Sequence, residues 1–444
     1  MSERALPTTL PAWLARLEAA HPVGIDLGLD RVAEVARRMG LLEGPLAPRV
    51  ITVAGTNGKG STVAMLEALA QVHGLTTATY TSPHLLHYNE RLRLNGREAD
   101  DATLIAGFEA VEAARLKGEP ISLSYFEMGT LGALWAIARQ PPALAILEVG
   151  LGGRLDAVNI IDPDVAVITT VAQDHAAFLG SDIEGIGREK AGILRPGRPA
   201  VLGSTTLPSS VTDVARERQA RVVALGEAFR REGEGAGWRW FGQDGGGHPV
   251  AVGELPDPGL PLDNAASALQ ALALADVAFD EAACRHALAS VRLSGRMQWL
   301  GPWCLDVGHN PHAAAYLARR LTTLPCEGRT IGLIGMLADK DADGVIAALA
   351  PAVDAWVPVS LEGERARSAD DLADRLAHLD ARIWHRGDSP AEAADWLSAR
   401  LAPEDRVLVC GSFFTVAAVL AWHQADAPST APTAEHATRS EEAK

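Results

Sequence analysis

The stretch ITVAGTNGKGSTVAMLEALA (residues 51–70) reads as a strand, a glycine turn and a helix in immediate succession. Ile51, Thr52 and Val53 are β-branched; Gly55, Gly58 and Gly60 permit tight turns; the residues from Ser61 onward are mostly helix formers. Backbone N–H groups of such a loop, backed by a helix N-terminus, make an anion site, and Lys59 adds a point charge. The spacing departs from the standard phosphate loop G-x-x-x-x-G-K-[ST], because Gly60 stands between Lys59 and Ser61. A purely structural glycine turn would not need the Lys and Ser, so a nucleotide phosphate cradle is the better reading.

Alternation of strand-like and helical runs continues from this loop in both directions. RVITVAG, TTATY, LAILEVG, VAVITTV and PAVLG read as buried strands, with ATLIAGFEAVEAARL and EMGTLGALWAIARQ as helices between them. That order predicts an α/β fold with a mostly parallel sheet covered by helices. REGEGAGWRWFGQDGGGHP (231–249) breaks the series and reads as an antiparallel hairpin region. A second alternating series, WCLDVG, RTIGLIG, DAWVPVS, ARIWH and RVLVCGS, predicts a smaller α/β domain. The expected division is 1–294, 295–425 and a disordered Ala/Pro/Thr/Glu-rich tail at 426–444.

At 444 residues two domains are the prior expectation. No apolar run is long enough to span a membrane, and the first residues lack a signal-peptide core, so a cytoplasmic protein is expected. The four cysteines form no C-x-x-C pair, which argues against structural zinc or a disulfide framework. A net charge of −16 argues against general nucleic-acid binding, although a local site can still be basic.

Several polar residues fall at the C-terminal ends of strands, where open α/β sheets place ligands. Glu148 ends LAILEVG, Ser82 follows TTATY, and Asp174 and His175 follow VAVITTV. Each alone reads as a strand-end surface residue; together, beside the phosphate loop, they suit magnesium. EVGLGGRLDAVN fails as a dinucleotide fingerprint because Leu155 stands at the third glycine position. DKDADG (339–344) resembles an EF-hand opening, but Ala350 occupies the place of the bidentate Glu, so a helix cap is the better account. In DVGHNPHA, Asn310 reads as a cap before Pro311, and Ser412 of GSFF as another.

GTNGKGS, TSPHLLHYNERLRLNG, SYFEMGTLGAL, LEVGLGGRLDAVN, QDHAAFLG, REKAGI, GRMQ, DVGHNPHA and GMLADKD together resemble the folylpolyglutamate synthase family, most closely its bifunctional bacterial form, within the Mur ligase superfamily. The resemblance implies a P-loop Mur-ligase-like central domain and a Rossmann-like α/β C-terminal domain. It implies ATP-dependent ligation of L-glutamate to 7,8-dihydropteroate and to reduced folates through an acyl phosphate, by a monomer using Mg2+, with neither nucleic acid nor membrane as partner. Carried across, the ATP loop corresponds to Thr56, Asn57, Gly58, Lys59, Gly60 and Ser61, with further nucleotide contacts at Asn264, Arg296 and Asp306. Metal ligands correspond to Ser82, Glu148 and His175. The pterin segments correspond to Ser124, Tyr125, Phe126 and Glu127 and to Leu155, Asp156 and Ala157. Lys190 corresponds to the family's carbamylated lysine, although GREKAGIL by itself reads as a solvated helix. Lys59, Lys190, Arg296 and His309 are the residues expected to act on the reacting groups, with His309 placed where glutamate arrives. The family's Asp-Ala-Thr-Asn is Asp156-Ala157-Val158-Asn159 here, which loses a hydroxyl. A cell-wall Mur ligase, against which TSPH and YFE argue, and a non-catalytic nucleotide-binding regulatory protein are the competing readings.

Overall fold

A computed structural model of the chain describes residues 6–20 and 27–426. The larger sheet has eight strands in the order Arg97–Glu98, Leu92–Leu94, Thr77–Tyr80, Leu144–Glu148, Val50–Ala54, Val165–Ile168, Pro199–Leu202 and Arg221–Ala224. From Thr77–Tyr80 to Arg221–Ala224 the pairing is parallel, and Leu92–Leu94 and Arg97–Glu98 add an antiparallel edge. Val50–Ala54 is buried at every position, as its unbroken apolar run requires of a strand covered on both faces.

One face carries the helices Lys59–Val72 and Leu262–Leu274 in a core with Ile51, Met65, Leu69, Leu269 and Trp240. The opposite face packs Trp13, Tyr80, Phe108, Leu131 and Leu147. Leu262–Leu274 is buried along nearly its whole length because a three-stranded antiparallel sheet, Arg230–Glu232, Trp238–Gln243 and Pro249–Leu255, covers its far side. A helix apolar all round needs such a double cover. The glycine-rich stretch 231–249, expected as an antiparallel hairpin region, supplies the middle strand Trp238–Gln243 of this sheet and the turns on either side of it.

The second sheet has five strands in the order Gln298–Leu300, Trp303–Leu305, Arg406–Cys410, Thr330–Ile334 and Ala355–Pro358, parallel except for the first. ARIWH, expected as a strand, forms only an isolated bridge from Ile383 to Trp356. Trp384 and His385 turn instead onto Trp396, with His385 stacked on it at 4.2 Å. The helix Phe413–Asp426 runs to the end of the described residues, and Val416, Val419 and Leu420 anchor it on the second sheet. The rest of the expected tail lies outside the described residues. Leu85 and Leu86 of the first lobe pack into that same cluster, so the two sheets share an apolar seam. Among the described residues no helix is long and apolar enough to cross a membrane.

Candidate active site

Register explains why the strand-end residues converge. Val53 pairs with Glu148, Ala54 with Ile168 and Tyr80 with Leu147, so the phosphate loop, Glu148, Ser82 and the 169–175 loop leave neighbouring strands at one level. Gly58 starts the helix Lys59–Val72 with φ +88, and a Cβ there would meet the Asn264 amide at 2.6 Å. Glycine is required at that position by both conformation and space. The Asn264 Nδ2 donates to Ser61 Oγ at 2.8 Å, while Ser61 Oγ and Thr62 Oγ1 donate to Gly58 O at 3.0 and 2.8 Å. Asn264 and Ser61 thus brace the loop from behind. Lys59 Nζ donates to Gly55 O at 3.0 Å and Thr56 O at 3.3 Å, curling back over the loop.

Among the described residues the buried Glu148 and the half-buried Lys59 facing this loop form no ion pair. Burial depresses the Lys59 pKa, although Glu148 pulls it upward. Burial pushes Glu148 up to about 7 against the pull of Lys59, Arg296 and the Ser82 backbone N–H. His175 is half-buried with φ +52, a left-handed conformation uncommon outside glycine, and burial lowers its pKa to about 4, leaving a neutral imidazole. A neutral imidazole, a buried carboxylate and the Ser82 position suit a divalent cation that keeps several water or phosphate ligands. Among the described residues no group of three or more His, Cys, Asp or Glu is placed to hold a metal by itself.

A small cleft runs from Gly55, Lys59 and His175 to Gly150, Gly152 and Lys190. Lys190, which reads locally as a solvated helix lysine, is 4% exposed. Burial, helped by the nearby Lys59, lowers its pKa to about 7. The helix Ile183–Ala191 can press so close because Gly153 has no side chain; a Cβ there would meet Glu189 O at 2.8 Å and Lys190 O at 3.0 Å.

The segment Ser124–Glu127 lies beside this cleft, through Phe126. Ser124 and Glu127 satisfy each other as a capping box, with Ser124 N donating to Glu127 Oε2 at 2.7 Å, and Arg31 pairs with Glu127 at 3.1 Å. Their side chains therefore shape the segment. Phe126 packs against Gly150, where a Cβ would meet its ring at 2.5 Å. Asp156, 2% exposed, accepts N–H bonds from Leu151 at 2.8 Å and Val158 at 3.0 Å, yet burial still raises its pKa to about 6. Leu155 is half-buried and Ala157 buried beside it. Val158 points into the apolar core, so the hydroxyl missing relative to the family would not face the cleft.

From the second lobe, Arg296 stacks over Phe413 at 5.2 Å and exerts its charge on Glu148. Asp306 is buried and accepts N–H bonds from Met297 at 2.9 Å and Gly308 at 2.8 Å. His309 Nε2 lies 3.2 Å from Asp174. Asp174 also receives Asn310 Nδ2 at 3.2 Å and Lys340 Nζ at 2.5 Å. Burial opposes ionisation of Asp174, but His309, His175 and Lys340 outweigh it and hold its carboxyl well below the usual range. Asn310 and Lys340 were not among the expected site residues. Asp341 caps the next helix through Gly344 N at 2.9 Å, as DKDADG suggests, and Lys340 beside it is the buried ion-pair partner. Asn310 and Ser412 also cap as expected, through Ala313 N and Thr415 N.

Two family models match: the Mur ligase middle domain over residues 53–228 and the Mur ligase glutamate ligase domain over residues 295–413. A dihydrofolate synthase/folylpolyglutamate synthase of Escherichia coli (strain K12) is 45% identical over 414 residues, covering 93% of this chain and 94% of its own. The chain belongs to the dihydrofolate synthase/folylpolyglutamate synthase family. The solved structure of E. coli FolC in complex with DHPP and ADP superposes with a TM-score of 0.88 at 44% identity, covering 94% of this chain and 98% of that one. A bifunctional folylpolyglutamate synthase/dihydrofolate synthase with Mn, AMPPNP and L-glutamate bound gives 0.84 at 43% identity, with the same coverage. The family's fold, a Mur-ligase middle domain followed by an α/β glutamate ligase domain, is the fold seen here.

Proposed function

We propose that this chain joins L-glutamate to 7,8-dihydropteroate, giving dihydrofolate, and adds glutamate to reduced folates, with ATP consumed in each ligation. The observation that carries the reading is the half-buried Lys59 beside the buried Glu148 at the mouth of the phosphate loop, neither in an ion pair among the described residues, in a chain 45% identical to a dihydrofolate synthase/folylpolyglutamate synthase. The substrate carboxylate takes the γ-phosphoryl group of ATP, and the glutamate amine displaces phosphate to leave an amide, ADP and phosphate. Mg2+, held by Glu148, His175 and Ser82, supplies charge neutralisation to the phosphates when bound.

The protein's own part is positioning and neutralisation, since two anions must meet. The loop N–H groups of residues 58–61 and Lys59 hold phosphate, while Asn264 stiffens the loop. Arg296 brings a second cation from the other lobe, and Asp306 fixes the backbone around it through Met297 N. Phe126 offers a stacking face, and the Asp156 carboxylate pairs with pterin N–H donors between Tyr125 and Leu155–Ala157. His309 and Lys340, drawn together by Asp174, stand where glutamate enters. Lys190 acts as a carbamate: with its amine depressed to about 7, the neutral form that attacks carbon dioxide is available. The catalytic unit is a cytoplasmic monomer divided at 294/295.

Incubation with ATP, glutamate and either dihydropteroate or tetrahydrofolate, followed by mass spectrometry, tests the proposal. Dihydrofolate and a glutamate-extended folate are the expected products. Extension of folate without dihydropteroate turnover reduces the enzyme to a folylpolyglutamate synthase, and ATP binding without any amide supports a regulatory role.

A further inference from the structure

The backbone of Asn57 is fixed to the first lobe. Its N–H donates to Thr170 Oγ1 at 3.0 Å, and its carbonyl accepts from Thr169 Oγ1 at 2.7 Å and Thr170 Oγ1 at 3.0 Å. Its side chain is fixed to the second lobe. Asn57 Nδ2 donates to Asn310 Oδ1 at 3.1 Å, and Asn310 Nδ2 donates back to Asn57 Oδ1 at 2.9 Å. Asn310 is 4% exposed and caps the helix Pro311–Thr323 with the same Oδ1, while its Nδ2 also reaches Asp174. Both ends of the Asn57 amide are thus engaged by the second lobe. Asn57 immediately precedes Gly58 and Lys59, so a side-chain tie to the cap of a second-lobe helix sits next to the phosphate-binding lysine.

We infer that the Asn57 side chain is a positioning latch rather than a nucleotide contact: paired with Asn310 and steadied through Asp174, it makes the register of the phosphate loop depend on closure of the two lobes. Opening the lobes must break the reciprocal amide pair, and the loop then loses its outer support. The kinetic part of the test rests on the ligase reading; the scattering part does not.

The full chain with Asn57→Ala, with Asn310→Ser, and with both changes is compared with the unaltered chain. Serine keeps a good helix-capping oxygen but cannot return an amide hydrogen bond, so the fold is preserved. Each single change should lower kcat about 10-fold, the scale of one or two neutral hydrogen bonds, with KM for ATP within about 2-fold. The double variant should be no worse than the poorer single one. Small-angle scattering with AMPPNP and Mn2+ should show a larger radius of gyration for every variant than for the unaltered chain. Multiplicative losses in the double variant, or a rise in KM for ATP confined to Asn57→Ala, would make Asn57 a nucleotide contact and overturn the latch. If the unaltered chain forms no amide at all, the ligase reading fails, and unchanged scattering in the variants then overturns the latch separately.

Discussion

At the end of the first sheet half-buried Lys59 and buried Glu148 and Lys190 form no ion pair among the described residues, whereas at the seam with the second lobe the buried Lys340 is closed off by Asp174, which also meets His309 and Asn310. Burying a charge without a partner costs several kcal/mol, and the affected groups respond by shifting toward neutrality. Glu148 at about 7 and Lys190 at about 7 have done so, and burial takes Asp156 to about 6 even with its two backbone N–H bonds. A ligand carrying phosphates, a divalent cation and pterin donors would supply the missing partners, so the first lobe is built to gain from binding. On the second lobe Lys340 already has its partner, while Arg296, in no ion pair among the described residues, shares the first lobe's gain from an anionic ligand; beyond that cation the second lobe's contribution is mechanical.

The sharpest way to break this contrast is Lys59→Ala. Removing the cation that meets the transferring phosphoryl group should cost on the order of 10²-fold or more in turnover, while the melting temperature holds, because no protein carboxylate loses a partner. A variant with near-normal turnover removes Lys59 from the mechanism. Asp174→Ala should do the reverse. It strands the buried Lys340 ammonium, so a loss of about 3 kcal/mol in unfolding free energy is expected from denaturant titration. Unchanged stability there would show that the second lobe's pairing is not what holds its charges in place.

Lys190 sharpens the contrast from within the first lobe. Lys190→Ala should lose about 10-fold or more in rate, with partial recovery in acetate. In the unaltered protein at fixed dissolved carbon dioxide, the carbon-13 carbamate signal should grow as pH rises through about 7, because only the unprotonated amine reacts. A fully active enzyme with unmodified Lys190 excludes the carbamate. Val158→Thr should have the smallest effect. Its side chain is in the apolar core, so KM for dihydropteroate should stay within about 2-fold while stability falls by about 1 kcal/mol. A marked drop in KM would place that side chain at the ligand.

These expectations also mark where the sequence was readable. The phosphate loop, the strand ends and the caps at Asn310, Asp341 and Ser412 follow from local pattern: β-branched runs, glycine spacing and capping chemistry. Lys190 could not be read that way, since the charges around it in GREKAGIL look solvated; its burial comes from Gly153, far away in the chain. The pairing of Asp174 with Lys340 and of Asn57 with Asn310 joins residues on different lobes, and no periodicity reports such contacts. Asn310 shows the limit well: its capping half was legible, and its other half, the amide aimed at the phosphate loop, was not. ARIWH failed as a strand because aromatic packing onto Trp396 outweighed β propensity at the sheet's edge.

The central claim is that a substrate carboxylate is activated by phosphoryl transfer before the amine attacks. Dihydropteroate labelled with oxygen-18 in its carboxylate, turned over with ATP and glutamate, tests this directly by mass spectrometry of the released phosphate. Phosphate carrying one labelled oxygen per dihydrofolate formed is the predicted result; unlabelled phosphate alongside dihydrofolate would contradict the account.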